Sequence, residues 1–157
     1  MNVVYKAALA LALIAITTAS YGAVRAHHVF AGNFISNVLS GKYIQLNSTG
    51  ATTISFNLPA AGKKVLTYNA ECAAEGPADA WVDIDIIVNG SAVVPSTSIF
   101  DAFCMAGGDL YLPTGVRSSH TLVFQGKAGT NTVRILARGN NGVTEWSLGD
   151  STLVIHD

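Results

Sequence analysis

No acidic residue precedes Glu71, and no basic residue lies between Lys64 and Arg117. Charge is scarce throughout, at 12% of residues. A chain with no basic stripe is poorly matched to a phosphate backbone, so nucleic acid is excluded as the expected partner. The same shortage argues against electrostatic docking on anionic lipid. Cysteine is limited to Cys72 and Cys104 with no C-x-x-C, which removes thiol redox catalysis and thiolate zinc sites. There is no phosphate loop, dinucleotide fingerprint or metalloprotease motif. The one Ser/His cluster, Ser118-Ser119-His120, lacks a nucleophile elbow, and neighbours on a strand point to opposite faces. No catalytic residue is assigned, and the chain is expected not to be an enzyme.

Long apolar runs are also missing, except at the start. Lys6 precedes an unbroken Ala/Leu/Ile run from Ala7 to Ile16, and Thr17 to Ala26 is small and polar. That is the layout of a secretory signal. The run is about half the length that a spanning helix needs. The expected organisation is a cleaved signal peptide over 1–26, an N-terminal arm over 27–40 and one β-sandwich domain over 41–157. A cut after Ala19 is also open, and one after Ala23 would place the bulkier Tyr21 at the first of the two positions that matter; the cut after Ala26 is favoured. The expected location is secreted, extracellular or periplasmic, with no membrane span after cleavage. In such an oxidising compartment an even cysteine count reads as a disulfide, Cys72–Cys104.

What remains is rich in period-two alternation. Ile54, Phe56 and Leu58 share one face of a short strand. Leu66, Tyr68, Ala70 and Cys72 share one face of the next. Val82, Ile84, Ile86 and Val88 face one way, and Trp81, Asp83, Asp85 and Ile87 the other. Asn89-Gly90 then supplies the turn of a tight hairpin. Thr121 to Gln125, Asn131 to Gly139, Thr144 to Leu148 and Thr152 to His156 complete the set, parted by glycine-rich turns. The expected fold is all-β: a two-sheet antiparallel β-sandwich of jelly-roll type with one disulfide. Phe30 to Leu39 reads as one helical turn or an edge strand. Ser96 to Ser119 is a long connection carrying Phe100, Phe103, Met105 and Tyr111, which Cys104 would pin over one end of the sandwich.

The stretch Ala61-Gly62 with Leu66-Thr67-Tyr68, followed by Val82 to Gly90, resembles the front half of jelly-roll carbohydrate-binding modules. Ala128-Gly129-Thr130-Asn131-Thr132-Val133-Arg134-Ile135, with Leu148-Gly149-Asp150, resembles their back half. The acidic N-terminal strand that helps to hold structural calcium in those modules has no counterpart here. The short last strand also resembles the jelly rolls of tumour-necrosis-factor-like and complement-like trimers. The resemblance implies a sandwich fold and a non-catalytic binding role.

Candidate ligand-binding residues are Trp81, Asp83 and Asp85 on one strand face, with Asn69 and Glu71 beside them if those strands pair. An indole can stack on a sugar ring while carboxylates and amides bond its hydroxyls. The competing arrangement pairs Asp83 and Asp85 with Arg134 and Arg138. Tyr111, Asn140, Asn141 and Trp146 are the loop and strand-end residues that the jelly-roll resemblance adds. No cofactor is required; calcium is the ion that Glu75, Asp79, Asp101 and Asp109 could take. The expected function is a secreted, non-catalytic binding domain, most naturally for glycan. The alternative is a cell-surface structural or assembly protein, partnered by other surface proteins or by its own copies through the sandwich or the N-terminal arm.

Overall fold

The computed structural model describes residues 22–37, 40–94, 102–107 and 116–157. Their strands are β1 (Val24–Ser36), β2 (Lys42–Tyr43), β3 (Ile54–Leu58), β4 (Gly62–Glu75), β5 (Trp81–Val88), β6 (Ser91–Val94), β7 (Cys104–Met105), β8 (Val116–Gly126), β9 (Gly129–Asn140) and β10 (Glu145–His156). They form two antiparallel sheets, one of order β1-β10-β4-β8 and one of order β2-β9-β5-β6, with β3 also on β9 and β7 also on β5. This is the jelly-roll sandwich. No helix among the described residues is long and apolar enough to cross a membrane.

The alternation places the core. Leu66, Tyr68, Ala70 and Cys72 of β4 face Val82, Ile84, Ile86 and Val88 of β5, all less than 5% exposed. Leu153 and Ile155 of β10 and Val133, Ile135 and Ala137 of β9 close the same layer. Each large aliphatic side chain buried this fully contributes roughly 1.5–3 kcal/mol against chain entropy. The disulfide Cys72–Cys104, with Cα atoms 6.0 Å apart, ties β4 of the first sheet to β7 of the second. It is therefore a clip between sheets. Of the long connection, Phe103 fills the core against Tyr68 at 5.9 Å; Phe100 and Tyr111 lie outside the described residues.

The segment read as an N-terminal arm contributes β1, an edge strand that pairs with β10 from Val24 to Ser36. Arg25 bonds the Asp157 carboxylate, and Lys64 reaches it at 2.7 Å. A cut after Ala26 would remove Val24 and Arg25 from this strand, and cuts after Ala19 or Ala23 would leave both. Asn69 and Glu71 do not lie beside Trp81, because β4 and β5 belong to different sheets.

The tight turn after β5 has φ of 52° at Asn89 and 85° at Gly90, as a hairpin of this length demands. Its neighbour across the sheet is the β8–β9 turn, and Asn131 joins them. Its buried Oδ1 accepts from Asn89 Nδ2 at 2.9 Å and from the Lys127 amide at 3.1 Å. Its Nδ2 donates to the carbonyls of Lys127 and Gly129. Every polar capacity of the amide is used.

Two predictions follow from these contacts. Asn131→Ala should cost about 1–3 kcal/mol, since it removes at once four hydrogen bonds that tie two turns together; urea unfolding with unchanged m-value measures it. Hydrogen bonds from Arg25 and then Lys64 hold the Asp157 carboxyl at about 2, below its ordinary 3.8. Its stabilising effect is therefore present above pH 3.8 and fades as pH falls through about 2. In the chain that retains Arg25, an NMR titration of the Asp157 carboxyl should show the low midpoint, and Arg25→Ala should move it upward.

Candidate functional site

The outer face of the second sheet collects four of the seven candidate ligand-binding side chains, Trp81, Asp83, Asp85 and Asn140. On β5 the core-facing Val and Ile leave Trp81, Asp83, Asp85 and Ile87 on the other side. On β9 the matching outward set is Arg134, Leu136, Arg138 and Asn140, with Val133, Ile135, Ala137 and Gly139 inward. The register sets Trp81 opposite Asn140, Asp83 opposite Arg138 and Ile87 opposite Arg134. On its other side Trp81 pairs with Met105 of β7. Asn140, Trp81 and Met105 thus form one row across three strands, next to the disulfide.

The bonds run diagonally between rows. Asn140 Nδ2 donates to Asp83 at 2.9 Å, and the Arg138 guanidinium donates to Asp85. The carboxylates are not the solvated groups expected of a ligand-facing pair: Asp83 is 0% exposed and Asp85 6%. Their role in this arrangement is to hold the amide and the guanidinium, which are themselves half-buried. A buried carboxylate needs such partners, because desolvation penalises it strongly. Pairing of Asp85 with Arg138 realises one of the two ion pairs open to this face. Arg134 goes elsewhere, with its guanidinium carbon 3.2 Å from the centroid of the Tyr43 ring.

Donors outnumber acceptors on this face. Trp81 Nε1, Arg134 Nε and Arg138 Nε are enclosed and meet no acceptor. The carboxylates spend accepting capacity on Asn140 and Arg138. The surface therefore offers the half-buried indole of Trp81 and a thioether that is 48% exposed at Met105, beside the half-buried amide of Asn140 and guanidinium of Arg138.

Other candidates fall elsewhere. Trp146 is 1% exposed and packs on Phe34 with ring centroids 5.8 Å apart. It is a core side chain, turned inward by the parity of β10, so it is not a ligand platform. Asn141 sits in the β9–β10 turn with φ of 51°, and its Nδ2 donates to the Asp79 carbonyl at 3.2 Å. That bond fixes the turn beside the Trp81–Asn140 row. Glu75 and Asp79 are both exposed at the β4–β5 connection. The Glu75 carbonyl receives the Thr144 amide at 2.8 Å. Tyr111, Asp101 and Asp109 lie outside the described residues. Among the described residues no three His, Cys, Asp or Glu side chains gather into a metal-holding group. His120 turns inward against Phe103, with ring centroids 5.4 Å apart, while Ser119 faces out.

The sequence marks Met105 only as a large apolar residue of the Ser96 to Ser119 connection and gives Tyr43 no binding role. The short Tyr43-Ile44-Gln45-Leu46 alternation did signal that Tyr43 faces away from Ile44, which is 1% exposed. Nothing local in the sequence places Met105 beside Trp81; only the Cys104 bond does.

No protein-family model matches the chain, and no curated protein sequence does. Solved structures similar to it include a family 35 carbohydrate-binding module from Clostridium thermocellum, at TM-score 0.43 and 18% identity over 82% of this chain and 97% of that one. A family 35 module from an environmental isolate gives TM-score 0.37 and 15% identity over 76% and 89% of the two chains. Dimeric latent PorU from Porphyromonas gingivalis gives TM-score 0.37 and 17% identity, covering 82% of this chain and 13% of that one. The first two belong to the class that the strand and turn sequence resembles.

The clip beside the Trp81 row carries a measurable consequence. Replacing Cys72 and Cys104 together by Ala should cost about 2–5 kcal/mol. Mass spectrometry of unreduced peptides should recover the cross-linked pair. Thermal melts should fall in reductant for the native chain and not for the double variant. An exported, folded protein with free thiols would contradict the assignment.

Proposed function

We propose that this chain is an exported, non-catalytic binding domain for glycan, and that it uses the outer face of its second sheet. The observation that carries the proposal is the row Asn140–Trp81–Met105, backed by the buried carboxylates that hold Asn140 and Arg138. A sugar presents an apolar C–H face and a rim of hydroxyls. An indole flanked by a thioether matches the first, and fixed amide and guanidinium donors match the second. Fixing the donors before the ligand arrives removes part of the ordering cost of binding. The inter-sheet disulfide suits an oxidising compartment outside the cytoplasm.

The test is affinity electrophoresis of the folded protein through a panel of polysaccharides, followed by titration on any that retards it. Trp81→Ala should weaken binding about tenfold or more, which is a loss of roughly 1.4 kcal/mol. Its melting curve serves as the folding control. A folded wild-type protein that no polymer retards would sink the proposal, as would undiminished affinity in folded Trp81→Ala.

A further inference from the structure

The chain holds two Asn-Gly pairs, Asn89-Gly90 and Asn141-Gly142. A following glycine leaves the next amide nitrogen without the shielding of a side chain, so the asparagine amide is open to attack by its own backbone. The two turns have matching backbones, with φ of 52° and 85° in the first and 51° and 84° in the second, and both asparagines are exposed. The hold on each asparagine is different. Asn89 Nδ2 donates to the buried Asn131 at 2.9 Å, and its Oδ1 accepts the Thr132 amide at 3.0 Å. Its own amide donates to the Thr132 carbonyl at 3.0 Å. Its turn also closes the β5–β6 ladder, where Val88 pairs with Ser91. Asn141 has one side-chain bond, from Nδ2 to the Asp79 carbonyl at 3.2 Å, and its Oδ1 accepts from no described residue. Its turn joins β9 of the second sheet to β10 of the first, so no ladder closes on it. The Val143 amide spans it to the Asn140 carbonyl at 3.3 Å.

We propose that Asn141 is a site of spontaneous deamidation in the folded protein, and that Asn89 is protected from it. The Gly142 amide nitrogen loses its proton to hydroxide and attacks Asn141 Cγ. The new N–C bond forms, the Cγ–Nδ2 bond breaks, and the nitrogen leaves as ammonia with a proton taken from water. Water then opens the succinimide ring at either carbonyl, which gives aspartate or isoaspartate. Cyclisation requires the side chain to leave its partners and turn toward the glycine nitrogen. At Asn141 that breaks one long bond, whereas at Asn89 both ends of the amide must come free of a neighbouring turn. The product sets a carboxylate, which only accepts, against the Asp79 carbonyl, so the bond that fixed the turn does not re-form. Isoaspartate also adds a methylene to the backbone between β9 and β10. The reaction needs only water and the chain, so the inference is independent of the glycan proposal.

The folded protein is incubated at mildly alkaline pH, digested, and mapped by tandem mass spectrometry for the conversion of amide to acid. Asn141 should convert about fivefold or more faster than Asn89, the factor that one additional hydrogen bond and a closed ladder impose on local opening. In urea with reductant the two sites become the same dipeptide in a free chain and should convert at similar rates. Asn131→Ala frees Asn89 Nδ2 and should raise conversion at Asn89 while leaving Asn141 unchanged. Should that variant fail to fold, the folded and unfolded wild-type chains decide by themselves. Equal conversion of the two sites in the folded protein, faster conversion at Asn89, or an Asn141 that stays intact while the unfolded chain reacts would overturn the proposal.

Discussion

The fold hangs on how the two sheets are held at the Trp81 end, where the covalent link between Cys72 and Cys104 does what aliphatic packing does elsewhere. β7 has only Cys104 and Met105. A strand of that length has too few ladder bonds to hold its own position. The link to β4, the ladder to β5 and the insertion of Phe103 beside Tyr68 fix it together. Met105 then has one place to be, next to Trp81. The opposite end uses a neutral device. Asn131 satisfies two turns with one amide and needs no covalent bond, because both turns are short and their glycines accept positive φ at Gly90 and Gly129.

Between these ends lies an unusual polar layer. Two carboxylates at alternate positions of one strand are withdrawn from water on the side of the sheet that faces away from the core. Burial of a carboxylate is costly by itself, and an Arg or an amide offsets much of that cost only when the geometry is good. The antiparallel register supplies the geometry. Arg138 stands directly opposite Asp83 yet reaches Asp85, and Asn140 reaches back to Asp83. These diagonal contacts interlock three rows, so each donor is held by a residue outside its own row. Such interlocking favours a fixed arrangement over a fluctuating one.

Much of this was legible in the sequence. The alternation of Val82 to Val88 gives β5 its two faces directly, and Asn89-Gly90 gives its turn. The disulfide pairing followed from the cysteine count and the expected oxidising compartment. Other features depended on tertiary context. Trp146 lies close to a glycine-rich turn, which suggested a rim position, but the parity of β10 directs it into the core. Asp83 and Asp85 were legible as partners for an arginine, while their burial is a tertiary property that no local pattern encodes. β1 begins within a stretch whose small residues also suit a signal-peptide cleavage region. Composition could not separate the two, because a strand edge and a cleavage region both tolerate Ala and Gly. The pairing of Arg25 with Asp157 joins opposite ends of the sequence, and long-range charge pairs of that kind leave no periodic trace.

The two sheets also divide their outer surfaces by chemistry. The second sheet concentrates aromatic, guanidinium and buried acidic groups around Trp81, with Tyr43 and Arg134 stacked farther along β9. The first sheet shows a plainer face, where Thr67 and Thr121 share a hydrogen bond at 3.0 Å and Asn69 bonds Thr152 at 3.2 Å. Its charged Glu71–Arg117 pair sits toward one end of the β4–β8 ladder. A face built from Thr, Ser, Asn and Val has little to offer a specific small ligand. Where that face carries the Arg117 charge, Glu71 answers it at 3.0 Å. The side chains of the core lie packed between the two faces, so the chemistry concentrated around Trp81 on one sheet is independent of the plainer face of the other.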